Sequence, residues 1–171
     1  MFLKYYQKLD DAISYLFSSV SNEKKLLKSY FSNKKITYID IGTNEGGYLD
    51  FLSSFIKFKK IICFEPIKHL SDKLSTKYSK LNLLNFNLAV SNKNQTKFFY
   101  QYEISSQSSF YKQNDLFKSL KNLKKKFKIK SIKFDSFFKK KEKIDFCKID
   151  VQGEEINVLK GMAKHLKTKK I

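Results

Sequence analysis

The sequence predicts an α/β fold in which helices wrap both faces of a parallel β-sheet. Short runs of β-branched and aromatic residues alternate with segments whose apolar residues recur every three or four positions. This alternation is typical of parallel sheets, because a helix must cross back between successive strands. A polar residue stands at or next to the end of each of four runs, at Asp40, Glu65, Asn87 and Asp150. Ligands of such sheets bind at that edge.

The first part of the chain, residues 1–35, is predicted to form an N-terminal helical cap, and residues 36–171 to form a single domain. Apolar residues at steps of three and four from Phe2 to Val20 form one stripe of a helix. A second short helix is expected from Asn22 to Phe31, after a Ser-Asn cap. Both are expected to cover the edge of the sheet or its ligand.

Four strands are predicted in the main domain, and helices follow them. The strands are expected at about 36–41, Lys60–Phe64, Leu81–Phe86 and Ile144–Ile149. Pro66 is expected to be the first residue of a helix, where its missing N–H is not needed. A final helix is expected to carry apolar residues from Ile156 to Leu166. Gly161 is expected to mark close packing there, since glycine weakens a helix by about 1 kcal/mol.

The pattern changes between the third and fourth strands. Ala89-Val90, a polar turn and Thr96–Tyr102 predict a β-hairpin. A polar loop is expected at Ser105–Ser109, a short strand within Phe127–Phe134, and a short helix from Asp135. Three aromatic residues of this region are expected to lie in the core, and they are Phe98, Phe99 and Phe110.

The charge of the chain is strongly positive, at +19 from 35 basic residues, all of them lysine, and 16 acidic ones. Residues 118–143 hold twelve lysines against two acids, a local charge of 12 − 2 = +10. A surface with lysine and no arginine is predicted to be mainly solvated, because arginine is the residue suited to bidentate recognition of phosphate and guanine. Nucleic acid is therefore not the favoured partner, although such a charge attracts polyanions non-specifically.

The sequence also indicates in which cellular compartment the protein occurs. The longest unbroken apolar run within the predicted strands, at residues 61–64, is far too short to span a membrane, and no secretory signal pattern begins the chain. Cys63 and Cys147 fall in strands expected to flank the first strand, about 9–10 Å apart, which exceeds the reach of a disulfide. Two reduced, buried thiols favour a cytoplasmic protein. No cysteine or histidine cluster predicts a metal site.

A strand, a glycine-interrupted turn and a helix in that order, at residues 38–47, predict a cradle for a nucleotide-like ligand. Glu65 lies 23 residues after Gly42 and could accept both hydroxyls of a ribose, as acids do in dinucleotide sites. A dinucleotide site, however, requires G-x-G-x-x-G, and Asn44 replaces its middle glycine. Asp40 would repel a pyrophosphate but suits the amine and sulfonium of S-adenosylmethionine. The methyl donor is therefore favoured over NAD.

The ordered motifs resemble the FkbM-type S-adenosylmethionine-dependent methyltransferases. These motifs are IDIGTNEGG, CFEP, NLAVSN, SSQSS, FDSFF and DFCKIDVQGEEINVLKGM, and they span about Ile36 to Met162. The resemblance implies a Rossmann-like class I methyltransferase fold. It also implies O-methylation of a hydroxyl on a sugar, a glycan or a natural product.

The resemblance also assigns roles to individual residues. It implies a cofactor loop formed by Asp40, Gly42, Asn44 and Gly46. Glu65, followed by Pro66, would hold the ribose, and Asn87 and Ala89 would lie near the adenine. Asp150 would lie near the methionine moiety or the acceptor, and is the candidate general base, with a purely cofactor-binding role as the open alternative. His69 and His165 lie away from the strand ends and are expected at the surface.

The chain departs from this family pattern in one respect, because the class I fold continues with three strands after the fourth. The sheet is therefore expected to be truncated after strand four, with an exposed edge that favours a homo-oligomer. One alternative function is a non-catalytic or fragmentary protein that binds S-adenosylmethionine. The other is an RNA methyltransferase, which would need an exposed aromatic residue beside the basic run.

Overall fold

The computed structural model describes residues 19–112, 123–138 and 143–168. The strands of its main sheet are β1 (Lys35–Ile41), β2 (Lys57–Phe64), β3 (Leu83–Phe86) and β7 (Phe146–Ile149). All four are parallel, in the order β3-β2-β1-β7. The α/β class and the parallel sheet flanked by helices are confirmed.

Helices cover both faces of this sheet. They are α1 (residues 19–31), α2 (Gly47–Ser53), α3 (Lys68–Lys77), α4 (Phe134–Phe137), α5 (Glu155–Gly161) and α6 (Ala163–Lys167). β1 is buried from Ile36 onward, because its alternate side chains pack against helices on opposite sides. Tyr38 belongs to the cluster formed with α1, α2 and α3, whereas Ile39 belongs to the cluster formed with α4 and α5. The core is therefore split into two layers by the sheet.

A second sheet is formed by β4 (Ala89–Ser91), β5 (Gln95–Tyr102) and β6 (Leu123–Lys133). The order of its strands is β4-β6-β5. The predicted hairpin of β4 with β5 is wrong, because β6 lies between them, parallel to β4 and antiparallel to β5. A strand is present where a short one was expected, but β6 is longer than predicted, with eleven residues. Ile67, Leu70 and Phe99 join this sheet to α3.

Helix boundaries differ from the predicted ones at three places. Helix α1 is continuous from residue 19 to 31, so no break occurs at Asn22, and residues 1–18 lie outside the described part. Pro66 precedes α3, whose N-cap is Ile67, because the Glu65 carboxylate accepts the Ile67 N–H and holds the turn extended. The final helix divides at Met162 into α5 and α6.

His165 is buried, which corrects its predicted surface position, whereas His69 is exposed. The His165 ring contacts Phe134, and its Nδ1 lies 2.6 Å from Oδ1 of Asp135. The Asp135 carboxylate also accepts the N–H groups of Lys164 and His165. Although burial alone would raise the pKa of Asp135, these hydrogen bonds lower it. The pair therefore fastens α6 to α4.

Gly161 lies in close contact with a neighbouring segment, as expected for a glycine within a helix. A Cβ there would overlap the backbone oxygen of Ser91 and lie 3.1 Å from the carbonyl carbon. We expect Gly161→Ala to lower the free energy of unfolding by about 1–3 kcal/mol, although alanine favours a helix. Thermal unfolding by circular dichroism measures this, with Lys160→Ala, at an exposed neighbour, as the control. An unchanged Gly161→Ala melting temperature would contradict the packing argument.

Within the described ranges, no helix is both long and apolar enough to cross a membrane. The cytoplasmic location, the division at residue 35 and the homo-oligomer stay predictions. Cys63 and Cys147 are free, and they lie on the two strands that flank β1. Burial raises the pKa of both thiols to about 12, so they stay protonated at neutral pH.

Candidate functional site

The turn after β1 is held at the carboxyl edge of the sheet. The N–H groups of Gly42 and Thr43 donate to the Phe64 carbonyl at the end of β2, at 3.0 and 3.3 Å. Gly42 has φ +85°, and a Cβ on it would overlap the backbone oxygen of Asp150 at the end of β7. Only glycine fits between these two strand ends. Asn44 follows with φ 52°, which turns the chain toward α2.

Glu65 is the first residue after β2, and it is 3% exposed. Its Oε2 accepts the Asn44 N–H and its Oε1 accepts the Ile67 N–H, each at 2.8 Å. One carboxylate thus ties the glycine turn to the turn before α3. Burial raises the pKa of Glu65 to about 7, although both backbone hydrogen bonds oppose the shift.

A cavity of about 400 Å³ lies at this edge, within the range of about 300–1,000 Å³ of small-molecule sites. Among the described residues, three carboxylates line it, from Glu45, Glu65 and Asp150, against one ammonium, from Lys148. In a chain of net charge +19, this wall is acidic. Asn44 also lines the cavity, and its side-chain oxygen is buried and has no hydrogen-bond partner among the described residues. The cavity therefore offers acceptors to a ligand with donors or positive charge.

Lys148 is the cation of the site, and it lies between two acids. Its Nζ is 3.5 Å from Oδ1 of Asp40 and 3.5 Å from Oδ2 of Asp150. Asp40 is fully buried, and its Oδ2 accepts the Tyr38 hydroxyl at 2.9 Å. Burial raises the pKa of Asp40, and the charge of Lys148 with the Tyr38 hydrogen bond opposes that shift. Asp40 therefore supports Lys148 from behind the cavity wall.

The second sheet and its loop form the opposite wall of the cavity. This wall contains hydroxyl groups and aromatic rings, from Ser105, Ser106, Ser108, Phe99 and Phe110. The loop begins with a 3₁₀ turn at Ser105–Gln107. Ser108 accepts the Tyr102 N–H at 3.1 Å, and this hydrogen bond fixes the loop to β5.

Glu154 connects this wall to the turn that follows Asp150. It is 1% exposed, and it accepts hydrogen bonds from Ser91 at 2.6 Å and Tyr111 at 2.7 Å. Lys97 Nζ lies 3.4 Å from the same carboxylate. Burial alone would raise the pKa of Glu154, but these donors together lower it, so the carboxylate stays charged.

Six of the nine predicted cofactor residues meet at the cavity. These residues are Gly42, Asn44, Glu65, Pro66, Ala89 and Asp150. Asp40, Gly46 and Asn87 do not line it. Gly46 packs where a Cβ would overlap the Tyr78 hydroxyl, and the Asn87 amide donates to the carbonyls of Glu65 and Pro66 at 2.9 Å. These two residues therefore shape the loops rather than the cavity surface.

Sequence reasoning missed Lys148 and Glu154. Lys148 could have been found, because a lysine in the middle of the apolar run of β7 must meet a counter-charge, and β-strand alternation puts it on the side of Asp150. Glu154 gave no such signal, since its partners lie 43 to 63 residues away in the chain. No group of three metal-ligating side chains occurs in the part of the chain that the structure describes.

Comparison with known proteins gives the family. Residues 40–171 match the model of the methyltransferase FkbM domain. The crystal structure of methyltransferase FkbM from Methylobacillus flagellatus KT is similar, with a TM-score of 0.54 and 16% sequence identity. That similarity covers 80% of this chain and 31% of the other, so this chain spans about a third of its length. No curated protein matches the chain. The chain belongs to the methyltransferase FkbM domain family.

Proposed function

We propose that the chain binds S-adenosylmethionine and transfers its methyl group to a hydroxyl oxygen of a sugar, a glycan or a natural product. The observation that carries this proposal is the acidic cavity at the strand ends, bounded by the Gly42 turn and by the buried Glu65 carboxylate. Three acids against one ammonium favour a cationic ligand. A pyrophosphate would meet like charges on the same wall, which disfavours a dinucleotide.

The residues of the cavity fit the parts of this cofactor. The Glu65 oxygens accept one backbone N–H each and keep a lone pair for a ribose hydroxyl. The unpartnered Asn44 oxygen can accept from the amine of the amino-acid end. Ala89 and Pro66 supply apolar surface beside a base. When bound, the cofactor supplies a methyl group on a sulfonium, which is open to displacement by an oxygen.

Asp150 is the proposed general base, because its carboxylate lies on the cavity side and is 51% exposed. Lys148 and the Gln152 amide, 2.8 Å away, hold that carboxylate in one orientation. It would take the proton of the acceptor hydroxyl as the oxygen attacks. Most of the rate enhancement would come from orienting that oxygen, and proton removal would add about 10²–10⁴-fold.

A binding experiment tests the cofactor. Purified protein is titrated calorimetrically with S-adenosylhomocysteine, S-adenosylmethionine and NAD. We expect both sulfur compounds to bind and NAD to give no heat of binding. If NAD binds more tightly than S-adenosylhomocysteine, or if the folded protein binds neither sulfur compound, the proposal is wrong.

Methyl transfer is tested separately, because the alternative of a non-catalytic cofactor-binding protein predicts binding without turnover. The serines and the Phe99 and Phe110 rings of the far wall match the mixed polar and apolar faces of a sugar. We therefore expect radiolabelled methyl to be incorporated into a hydroxyl of a glycoside panel. Cofactor binding without incorporation into any hydroxyl acceptor would favour the non-catalytic alternative.

Asp150→Asn separates the two roles left open for this residue. If Asp150 is the base, we expect kcat to fall about 10²–10⁴-fold while S-adenosylhomocysteine affinity is unchanged within about twofold. Asp72→Asn, which removes an exposed carboxylate outside the cavity, is the matched control. Unchanged turnover with weakened affinity would instead assign Asp150 to cofactor binding.

A further inference from the structure

The outer face of the second sheet carries lysines and aromatic rings together. We call this face the basic platform and define it by Phe98 and Tyr100 on β5 and by Lys126, Lys128 and Lys130 on β6. Phe98 lies opposite Lys128 and Tyr100 opposite Lys126 in the antiparallel register. Side chains two residues apart on a strand project from the same face, so all five share one surface.

The Phe98 ring is 48% exposed, which corrects its predicted place in the core. Lys126 Nζ lies 4.2 Å from the centroid of this ring and 5.5 Å from that of Tyr100, and Lys128 Nζ lies 5.5 Å from Phe98. None of the three platform lysines forms an ion pair with any residue in the described ranges. The platform therefore has a half-exposed ring beside three lysines whose positive charges meet no acid in the described ranges.

We propose that the basic platform binds a single-stranded nucleic acid. The lysines repeat every two residues along one strand, about 7 Å apart, and can therefore contact successive phosphates of an extended chain. The Phe98 ring supplies the face on which an unpaired base can stack, a contact that tolerates any base. Lysine without arginine contacts phosphate as a point charge and does not read base edges, so the binding is independent of sequence.

A duplex fits this surface less well than a single strand. Its bases are stacked on one another and cannot reach Phe98 without unpairing. The other side of β5 carries Phe99, which lines the cavity, so the platform lies one strand thickness from the proposed methyl-transfer site. The proposal goes beyond the proposed function and does not depend on it, since platform and cavity use opposite faces of the sheet.

The first test measures salt dependence. Binding of a fluorescein-labelled oligouridylate of about twelve nucleotides is followed by anisotropy over a series of KCl concentrations. The variant K126Q/K128Q/K130Q should bind at least about tenfold more weakly, and its log–log salt slope should be smaller by about 2, for three lost phosphate contacts. The control K25Q/K28Q/K160Q loses the same charge at exposed positions elsewhere and should change affinity less than about threefold. Equal losses in the two variants would overturn the proposal.

The second test separates base stacking from charge. Phe98→Leu should weaken oligouridylate binding about tenfold without changing the salt slope, and should leave the binding of inorganic polyphosphate of equal charge unchanged. Equal binding of wild type and Phe98→Leu to the oligouridylate would mean a general polyanion surface and would overturn the proposal. Photocrosslinking of wild type with a thiouridine-substituted oligomer should label peptides of β5 or β6. Labels confined to other segments would also overturn it.

Discussion

Gly42→Ala is expected to abolish the proposed binding of S-adenosylhomocysteine and to destabilise the fold by more than about 3 kcal/mol. Two effects add at this position. The backbone has φ +85°, where a side chain costs about 1–3 kcal/mol. The new Cβ would also overlap the Asp150 backbone oxygen, so β1 and β7 would have to separate at the edge that forms the cavity. Chemical denaturation gives the stability, and calorimetry with S-adenosylhomocysteine gives the affinity.

Gly47→Ala is the matched control for this prediction. Gly47 is five residues away, and a Cβ on it meets nothing within 4 Å. It begins α2, where alanine favours the helix by up to about 1 kcal/mol. We therefore expect Gly47→Ala to unfold at the same temperature as the wild type or above it. If Gly42→Ala unfolds at the same temperature as Gly47→Ala, the contact between the ends of β1 and β7 does not constrain the chain.

Glu65 is expected to give opposite pH dependences for folding and for ligand binding. Its pKa is about 7 in the folded protein, whereas an unperturbed glutamate, as in the unfolded chain, has a pKa of 4.5. The folded protein therefore holds the proton more tightly, so this residue's contribution to stability is complete below pH 4.5 and is lost as pH rises through 7. The shift corresponds to about 3 kcal/mol. In the absence of ligand, wild-type stability relative to Glu65→Gln should fall by about that amount from pH 4 to pH 8.

Ligand binding should respond in the opposite direction, because only the ionised Glu65 can accept from both hydroxyls of a ribose. About a tenth of the Glu65 carboxyl groups are ionised at pH 6 and about nine tenths at pH 8. The S-adenosylhomocysteine dissociation constant should therefore be about tenfold higher at pH 6 than at pH 8. Glu65→Gln should bind at least about thirtyfold more weakly at pH 8, with no dependence on pH across this range. Calorimetry at pH 6, 7 and 8 measures both proteins, and a wild-type affinity that rises on acidification would contradict the assignment.

The carboxyl edge of the sheet could be predicted from sequence because strand ends are a local property. The apolar run of β2 stops at Glu65, and the structure puts that carboxylate at the cavity. Asp40 shows the limit of the same reasoning. β1 continues to Ile41, so Asp40 lies within the sheet and its side chain follows that of Tyr38 into the buried layer. A difference of one residue in the strand end decided whether the acid faced the cavity.

The second sheet could not be predicted, because its pairing joins distant parts of the chain. β5 and the apolar pair of β4 are close in sequence, and their spacing predicted a hairpin. The strand between them, β6, enters from more than twenty residues later in the chain. Periodicity carries no information about such partners, and register depends on them. The burial of His165 was missed for the same reason, since it depends on Phe134 and Asp135 from a distant segment.

Glu154 joins three separate segments of the chain through one buried carboxylate. Its single carboxylate holds donors from β4, β5 and the segment after the serine loop, and it lies four residues beyond Asp150. Substitutions at Ser91, Lys97 and Tyr111 will therefore show epistasis, because the first lost donor leaves a buried charge that the remaining donors must satisfy. Any redesign of these three segments would therefore have to keep donors for that carboxylate.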